Sequence, residues 1–328
     1  MQDIYFAEEY GRLYEKCESG KAIRYVYDSE FGRVSHLFIK REIPIKADKE
    51  LYDITTPYGY GGPIIERVCD GHTREELISG FEANFSEYCK SEGIVSEFVR
   101  FHPIFNNASD FKDVYSAIPI RKTLGTDLTL EDPVSEEFSK GCRKNIRRST
   151  AKGVTWRVTE APADISRFKD IYYSTMDRNG ASDYYYFDDE YFNDCLKYFQ
   201  KNLIFVEAIF EEKTIAAGLY FVYNNTIHIH LSGTLSEYLH LSPAYILRYA
   251  VTLWGKEHGY KLIHHGGGRS NAEDDNLYLF KKQFAQMTEF DFYVGKRIWD
   301  NAAYDMLCRE SGNTECSDFF PAYRKPRI

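Results

Sequence analysis

The sequence predicts an α/β protein of two tandem modules, each a mixed sheet with helices on its faces. Three observations carry this. The chain has 328 residues, which suits two domains at roughly 100–200 residues each. Segments rich in β-formers come in groups separated by turn signals. In each half such a group leads into a loop, a helix-period segment, a glycine stop and one more apolar strand. A hairpin meander continues antiparallel, but a parallel neighbour requires a crossover helix, so this order implies a mixed sheet.

In the first half, the N-terminal segment MQDIYFAEEYGRLYEK has the pattern of an amphipathic helix. Ile23–Ser29 and Arg33–Ile43 flank the turn-like Glu30-Phe31-Gly32 and read as a hairpin. Leu51–Pro57 reads as a third strand running into the loop Tyr58-Gly59-Tyr60-Gly61-Gly62-Pro63. Thr73 and Glu76 form a capping pattern ahead of Leu77, Phe81, Phe85 and Tyr88 at helical spacing. Gly93 stops that helix, and Ile94–Phe101 is the next strand, closed by His102-Pro103. Val114–Ile120 and Lys122–Leu130 add two β segments. Pro133 opens one helix to about Lys152, with Gly153 as its stop.

After the short strand Val154–Thr159, helices are expected at Ile165–Arg178 and Asp188–Lys201, joined by the tyrosine-rich Asn179–Phe187. Leu203–Phe210, Thr214–Tyr223 and Thr226–Ser232 follow as strands with tight turns between them. The loop Gly233–Ser242 leads to a helix opened by Pro243, whose apolar face carries Ile246, Leu247, Ala250, Val251 and Trp254. Gly259 ends it. Lys261–His265 is the next strand and runs into Gly266-Gly267-Gly268; a short helix, Asn276–Phe284, and a strand, Phe290–Val294, complete the half. Gly93 and Gly259 therefore occupy the same point in two series, a repeat of order rather than of identity. The module boundary is placed between residues 153 and 154, giving 1–153 and 154–328.

Composition narrows the function classes. Hydrophobic residues at 43% and charged residues at 28% describe an ordinary globular chain. A net charge of −9 argues against a surface-wide basic field for nucleic acid, DNA in particular. No apolar run reaches transmembrane length, and the N-terminus lacks the basic-then-apolar pattern of a secretory signal. Seven scattered cysteines, without CxxC, read as reduced thiols in a cytoplasm rather than a disulfide frame or zinc site.

The series Tyr58–Pro63, Arg100-Phe101-His102-Pro103, the basic helix Arg143–Lys152, His265-Gly266-Gly267-Gly268, and Phe280-Lys281 with Phe284 resembles the FemABX group and the related BioF2-like acetyltransferase domains. The element order resembles the GNAT (Gcn5-related acetyltransferase) fold, and its duplication resembles the double-GNAT FemABX proteins. That resemblance implies two tandem GNAT-like modules. It also implies an enzyme that passes amino acids from aminoacyl-tRNA to the peptide of a peptidoglycan precursor. Two features depart from the pattern. No heptad hairpin long enough for a tRNA-holding arm occurs. The stretch Thr234–Ser242 has no glycine after Gly233, unlike the Arg/Gln-x-x-Gly-x-Gly/Ala loop that holds the pyrophosphate of acyl-CoA. The donor is therefore open between aminoacyl-tRNA and acyl-CoA. No metal is expected.

Acyl transfer to an amine needs a neutral nucleophile, alignment and donors facing the developing oxyanion, not a covalent triad. The resemblance places Lys281 in the substrate cleft as the candidate catalytic cation; the alternative is a solvated lysine beside Lys282. Gly266, Gly267 and Gly268 let a ligand approach the backbone, and Arg269 suits a phosphate or carboxylate; the alternative is a flexible turn. Tyr58 and Tyr60 suit a groove wall, or else a structural loop. Arg143 and Arg147 share one face of a helix that also carries Lys140, Lys144, Arg148 and Lys152, and suit phosphate, or else form a solvated face. Tyr245 is placed near Lys281 and the glycines. His228, His230, His264 and His265 carry no zinc-like spacing with cysteine or acid but include potential general bases, as do Asp177, Asp183 and Glu207.

The expected function is thus direct N-acyltransfer, of an aminoacyl or acyl group, to an amine of a cell-wall precursor or similar acceptor, in a cleft of the second half. A loop of the first half, Tyr58–Pro63, would close its other side. Two alternatives stand beside it: acyl-CoA-dependent N- or O-acetylation of a sugar or polysaccharide precursor, and non-catalytic binding of such a precursor.

Overall fold

The computed structural model describes residues 3–45, 50–272, 274–313 and 319–325. Met1, Gln2 and Cys316 lie outside them. Contacts divide the chain into two units that interleave in sequence. Unit 1 is Met1–Arg121 with Asp291–Ile328, and unit 2 is Lys122–Phe290. The boundary expected after residue 153 falls inside unit 2.

Unit 1 begins with a 3₁₀ turn, Ile4–Phe6, and two short helices, α1 (Glu8–Leu13) and α2 (Glu15–Glu18). The single N-terminal helix is broken because Ala7 is extended and Tyr14 leaves the helical region. Strands β1 (Gly20–Ser29) and β2 (Gly32–Glu42) form the expected hairpin, and β3 (Tyr52–Thr55) pairs antiparallel with β2. A strand unforeseen from sequence, β4 (Ile64–Val68), pairs with the other half of β2. Helix α3 (Arg74–Ser91) has the capping box read from Thr73 and Glu76. It buries Leu77, Phe81 and Phe85 against Val34, Phe38 and Val99. It crosses to β5 (Ile94–Arg100), which pairs parallel with β3. A short helix, α4 (Ala108–Phe111), stands before β6 (Ile118–Asp127), which replaces the two expected β segments and carries the chain into unit 2.

Unit 2 continues with α5 (Pro133–Glu137) and α6 (Lys140–Ala151). The single helix expected here is interrupted because Phe138 is extended and buried, and the Ser139 hydroxyl accepts from Cys142 N to cap α6 afresh. Then come β7 (Thr155–Glu160), α7 (Ser166–Arg178), α8 (Asp189–Phe199) and the meander β8 (Leu203–Phe210), β9 (Lys213–Tyr223) and β10 (Thr226–Thr234). Helix α9 (Pro243–Glu257) crosses to β11 (Leu262–Gly266), which pairs parallel with β10. Within this unit the strand order is β6-β11-β10-β9-β8-β7. Ile246, Leu247, Ala250 and Val251 of α9 bury against Ile215, Ile227 and Ile263. A short helix, α10 (Asn276–Lys282), precedes β12 (Glu289–Ile298), which returns the chain to unit 1 and pairs antiparallel with β5. Helix α11 (Asn301–Ser311), also unforeseen, adds Tyr304 and Leu307 to a small core with Val95 and Tyr323.

Both units thus hold a meander, a crossover helix and a parallel strand, so the fold is α/β with two tandem repeats. Gly93 (φ +66°) and Gly259 (φ +76°) end the two crossover helices in the same left-handed conformation. The repeats also exchange a strand. β5 is flanked by β12 from the second repeat, and β11 by β6 from the first.

Candidate active site

The parallel pair in unit 2 opens into a fork. β10 and β11 stay in register from Thr226–Leu262 to His228–His264 among the described residues. β10 then bulges between Ile229 and Leu231, and β11 shifts register between His264 and Gly266. Two irregularities at one level separate the strands, and such separations are where α/β sheets bind ligands.

Unit 1 treats its equivalent pair differently. Beyond Thr55 and Phe98, Thr56 N donates to Phe98 O at 3.2 Å, and Gly61 N donates to Arg100 O at 2.8 Å. The Tyr58–Pro63 loop is therefore stitched alongside β5. Asn107 Nδ2 holds it by donating to Gly61 O at 2.9 Å and to Pro63 O at 2.8 Å. Tyr60 is buried edge-on to Tyr5 and Phe292, and Tyr58 packs on Tyr14 while its carbonyl accepts from Tyr10. Within its own unit this loop plugs the fork.

At the open fork α10 gathers most of the residues expected in the cleft. Lys281 Nζ donates to Gly267 O at 2.6 Å. Tyr245, in the first turn of α9, donates its hydroxyl to Gln283 Oε1 at 3.2 Å and packs on Phe280 and Phe284. Asp275 caps α10 by accepting from Tyr278 N at 2.8 Å and also accepts from Arg269 N and Ser270 N at 2.9 and 2.8 Å. Burial opposes its ionisation, but these hydrogen bonds outweigh that and bring the carboxyl down to about 2. A Cβ on Gly268 would sit 2.6 Å from Asp275 Oδ1, so a side chain there would push the capping carboxylate out of place. Arg269 is thus placed by its backbone.

Two buried groups at the fork were not singled out as its centre from sequence. His265 is 1% exposed, and its Nε2 lies 2.8 Å from Thr126 Oγ1. The Thr126 hydroxyl gives its one proton to Phe284 O at 2.7 Å, so it must accept from His265 Nε2–H, leaving Nδ1 a bare acceptor. Burial, then the charges of Arg248 and Lys281, hold this imidazole well below its ordinary range and keep it neutral. Arg248 is 6% exposed on the buried side of α9 and donates from Nη1 to Tyr220 Oη at 3.1 Å. The signal was present: Arg248 precedes Val251 by three and Thr252 by four, so it falls on the stripe that packs inward.

Other expected residues lie elsewhere in unit 2. Arg143 Nη1 donates to Ser135 O at 2.7 Å and to Phe138 O, closing the break between α5 and α6, while Arg147 is exposed. Glu207 is held by Arg157 at 2.6 Å and Thr214 at 2.8 Å. His230 is the extra residue of the β10 bulge, 2.6 Å from the Tyr191 hydroxyl, and burial with the neighbouring His228 brings it down to about 3. Asp183 is exposed; Asp177 accepts from the Tyr186 hydroxyl and lines an open cavity of about 530 Å³ with Tyr173 and Arg178.

Residues 137–275, all within unit 2, match the family model described as an acetyltransferase (GNAT) domain. The solved structure of FemX superposes with a TM-score of 0.68 at 13% identity, covering 93% of this chain and 94% of that one. Residues 137–275 thus resemble a GNAT acetyltransferase domain, and the chain as a whole has a fold like that of FemX. L-PGS from Bacillus licheniformis has a similar fold, with a TM-score of 0.57, 14% identity and 94% and 98% of the two chains covered. So does the C-terminal domain of a putative lysylphosphatidylglycerol synthetase from Agrobacterium fabrum, with a TM-score of 0.56, 14% identity and 93% and 92% covered. No curated protein matches in sequence.

Within the matched residues 137–275 the segment before α9 forms a 3₁₀ helix, Ser236–Leu241, in place of a glycine loop. It leaves a cavity of about 320 Å³ in front of α9, lined by Arg148, Lys152, His240 and Ser242. The cations that the basic helix brings to this cavity are Arg148 and Lys152 rather than Arg143 and Arg147.

Proposed function

We propose that this protein is an N-acyltransferase whose reaction centre is the open fork of unit 2, and that it passes an aminoacyl or acyl group directly to an amine of a cell-wall precursor or similar acceptor. The observation that carries the reading is the junction at the fork. A lysine, a glycine-rich strand exit and a neutral buried imidazole meet there, inside a GNAT domain. Lys281 supplies positive charge where the carbonyl oxygen of the donor gains negative charge. The glycines admit the donor against backbone. The double-GNAT fold shared with FemX, and with a protein named as a putative lysylphosphatidylglycerol synthetase, supports an aminoacyl donor.

The cavity before α9 favours a second reading, in which acyl-CoA is the donor. A helix N-terminus beside Arg148 and Lys152 suits a diphosphate. The two are separated by incubating the protein and an amine acceptor with acetyl-CoA or with charged tRNA and weighing the products by mass spectrometry. Transfer from charged tRNA alone supports the first reading, and transfer from acetyl-CoA alone the second. For either donor, Lys281→Ala is expected to lower kcat by roughly 10²–10³-fold, the cost of removing one oxyanion donor, while the unfolding midpoint stays close to wild type. Undiminished turnover would remove Lys281 from the mechanism.

A further inference from the structure

Arg248 is a guanidinium buried in the interior of unit 2 without a carboxylate partner among the described residues. Its one hydrogen bond is from Nη1 to the Tyr220 hydroxyl, whose ring it also faces at 5.6 Å. Nε has no partner. The Nε–Nη2 edge therefore holds two coplanar N–H donors that none of the described residues uses, the edge that receives a planar oxyanion in bidentate fashion. Arginine does not shed its proton in proteins, so the charge remains, and an unpaired buried charge is costly to the fold. Its position is telling. The Tyr220 hydroxyl that holds it also lies 3.3 Å from Ser232 Oγ, on β10 beyond the bulge, and the Arg248 charge bears on His265 of the fork. A second unused group stands there: the bare Nδ1 of His265, which asks for an N–H or O–H donor.

We infer that the Nε–Nη2 edge of Arg248 anchors a carboxylate of the substrate, and that the cleft is built for an amino-acid or peptide-like molecule whose N–H meets His265 Nδ1. A carboxylate suits the edge better than a phosphate. It has two coplanar oxygens and one charge, which a single buried guanidinium balances, whereas a dianionic phosphate would leave charge and lone pairs unmet. This inference rests on the acyl-transfer reading, because it names the substrate chemistry of the same cleft.

The test reads binding, not turnover, and uses the whole protein with N-acetylglycine, N-acetylglycinamide and inorganic phosphate as probes at matched ionic strength. N-Acetylglycine is expected to raise the unfolding midpoint saturably, and the amide, identical but for the carboxylate, is not. In Arg248→Lys the affinity falls roughly tenfold or more, because an ammonium has no bidentate edge. Arg248→Met loses the response altogether. It also unfolds no earlier than wild type without ligand, since it removes an unbalanced buried charge. If the Met variant does not fold, the wild-type Nε–H resonance, assigned by its loss in R248K, decides: it moves with N-acetylglycine or the inference fails. A response to phosphate alone, or one that survives in R248K unchanged, also overturns it. Carboxylate binding at Arg248 without transfer from any donor would instead sink the acyl-transfer reading and leave this site standing.

Discussion

His265, buried, and His230, half-buried, are imidazoles that unit 2 holds uncharged. Burial, together with the cations near His265 and with His228 beside His230, depresses both. In the unfolded chain a histidine titrates near 6.5. Below that pH the unfolded state takes up a proton that the folded state refuses, so stability is full above about 6.5 and is lost as pH falls. For His230 the window runs from there to about 3. Each such histidine contributes up to about 1.4 kcal/mol per pH unit inside its window. His230→Gln, which offers the Tyr191 hydroxyl both a donor and an acceptor, should therefore flatten the fall in urea midpoint between about pH 6.5 and pH 4. A slope equal to wild type would mean that His230 is already protonated in the fold. Which residues meet at the fork was partly legible in the sequence. Lys281, Tyr245 and the glycines could be named, because a family-like series marks them. The tautomer of His265 and the unused edge of Arg248 could not, because each depends on which groups three separate elements bring to one point.

The crossover helices show where element-level reading succeeds. A capping threonine for α3, an opening proline for α9, an apolar period of 3.6 and a glycine stop are all local, so both helices were legible from end to end. The break between α5 and α6 was not, because Phe138 leaves helical geometry to reach a core assembled from distant strands. β4 was missed for a similar reason: five residues carry too little alternation, and their partner half of β2 is far away in sequence. The two glycine stops make a paired prediction. Alanine at either position must adopt the left-handed region, at a cost of roughly 1–2 kcal/mol. At Gly259 a Cβ meets nothing within 4 Å, whereas at Gly93 it would lie 2.9 Å from Glu50 O. Gly93→Ala should thus be the more destabilising in urea unfolding. Equal losses would show that the Gly93 backbone yields at little cost.

For the whole molecule, the exchange of strands decides what can be cut away. Unit 2 is one continuous stretch, and its main core is drawn entirely from within Lys122–Phe290. Unit 1 is not: without β12 and α11, β5 loses a partner, and Val95 loses Tyr304, Leu307 and Tyr323. A fragment of residues 122–290 should therefore show a cooperative thermal transition and resist limited proteolysis. A fragment of residues 1–153 should do neither. Cooperative unfolding of the shorter N-terminal fragment would mean that β6 can take the place of β12 on β5. The order of elements was legible at this scale but the ownership of strands was not. The choice between β6 and β12 as partner of β5 leaves no mark in hydrophobic pattern.

That ownership also sets a schedule for the growing chain. β5 leaves the ribosome early, yet its partner is made nearly two hundred residues later, a delay of roughly 10–40 s at 5–20 residues per second. Through that interval the free edge of β5 is open to wrong pairings, including with a neighbouring nascent chain. The half made first is thus the half finished last. Unit 2 has all its residues once residue 290 emerges, before the N-terminal strands have their partner.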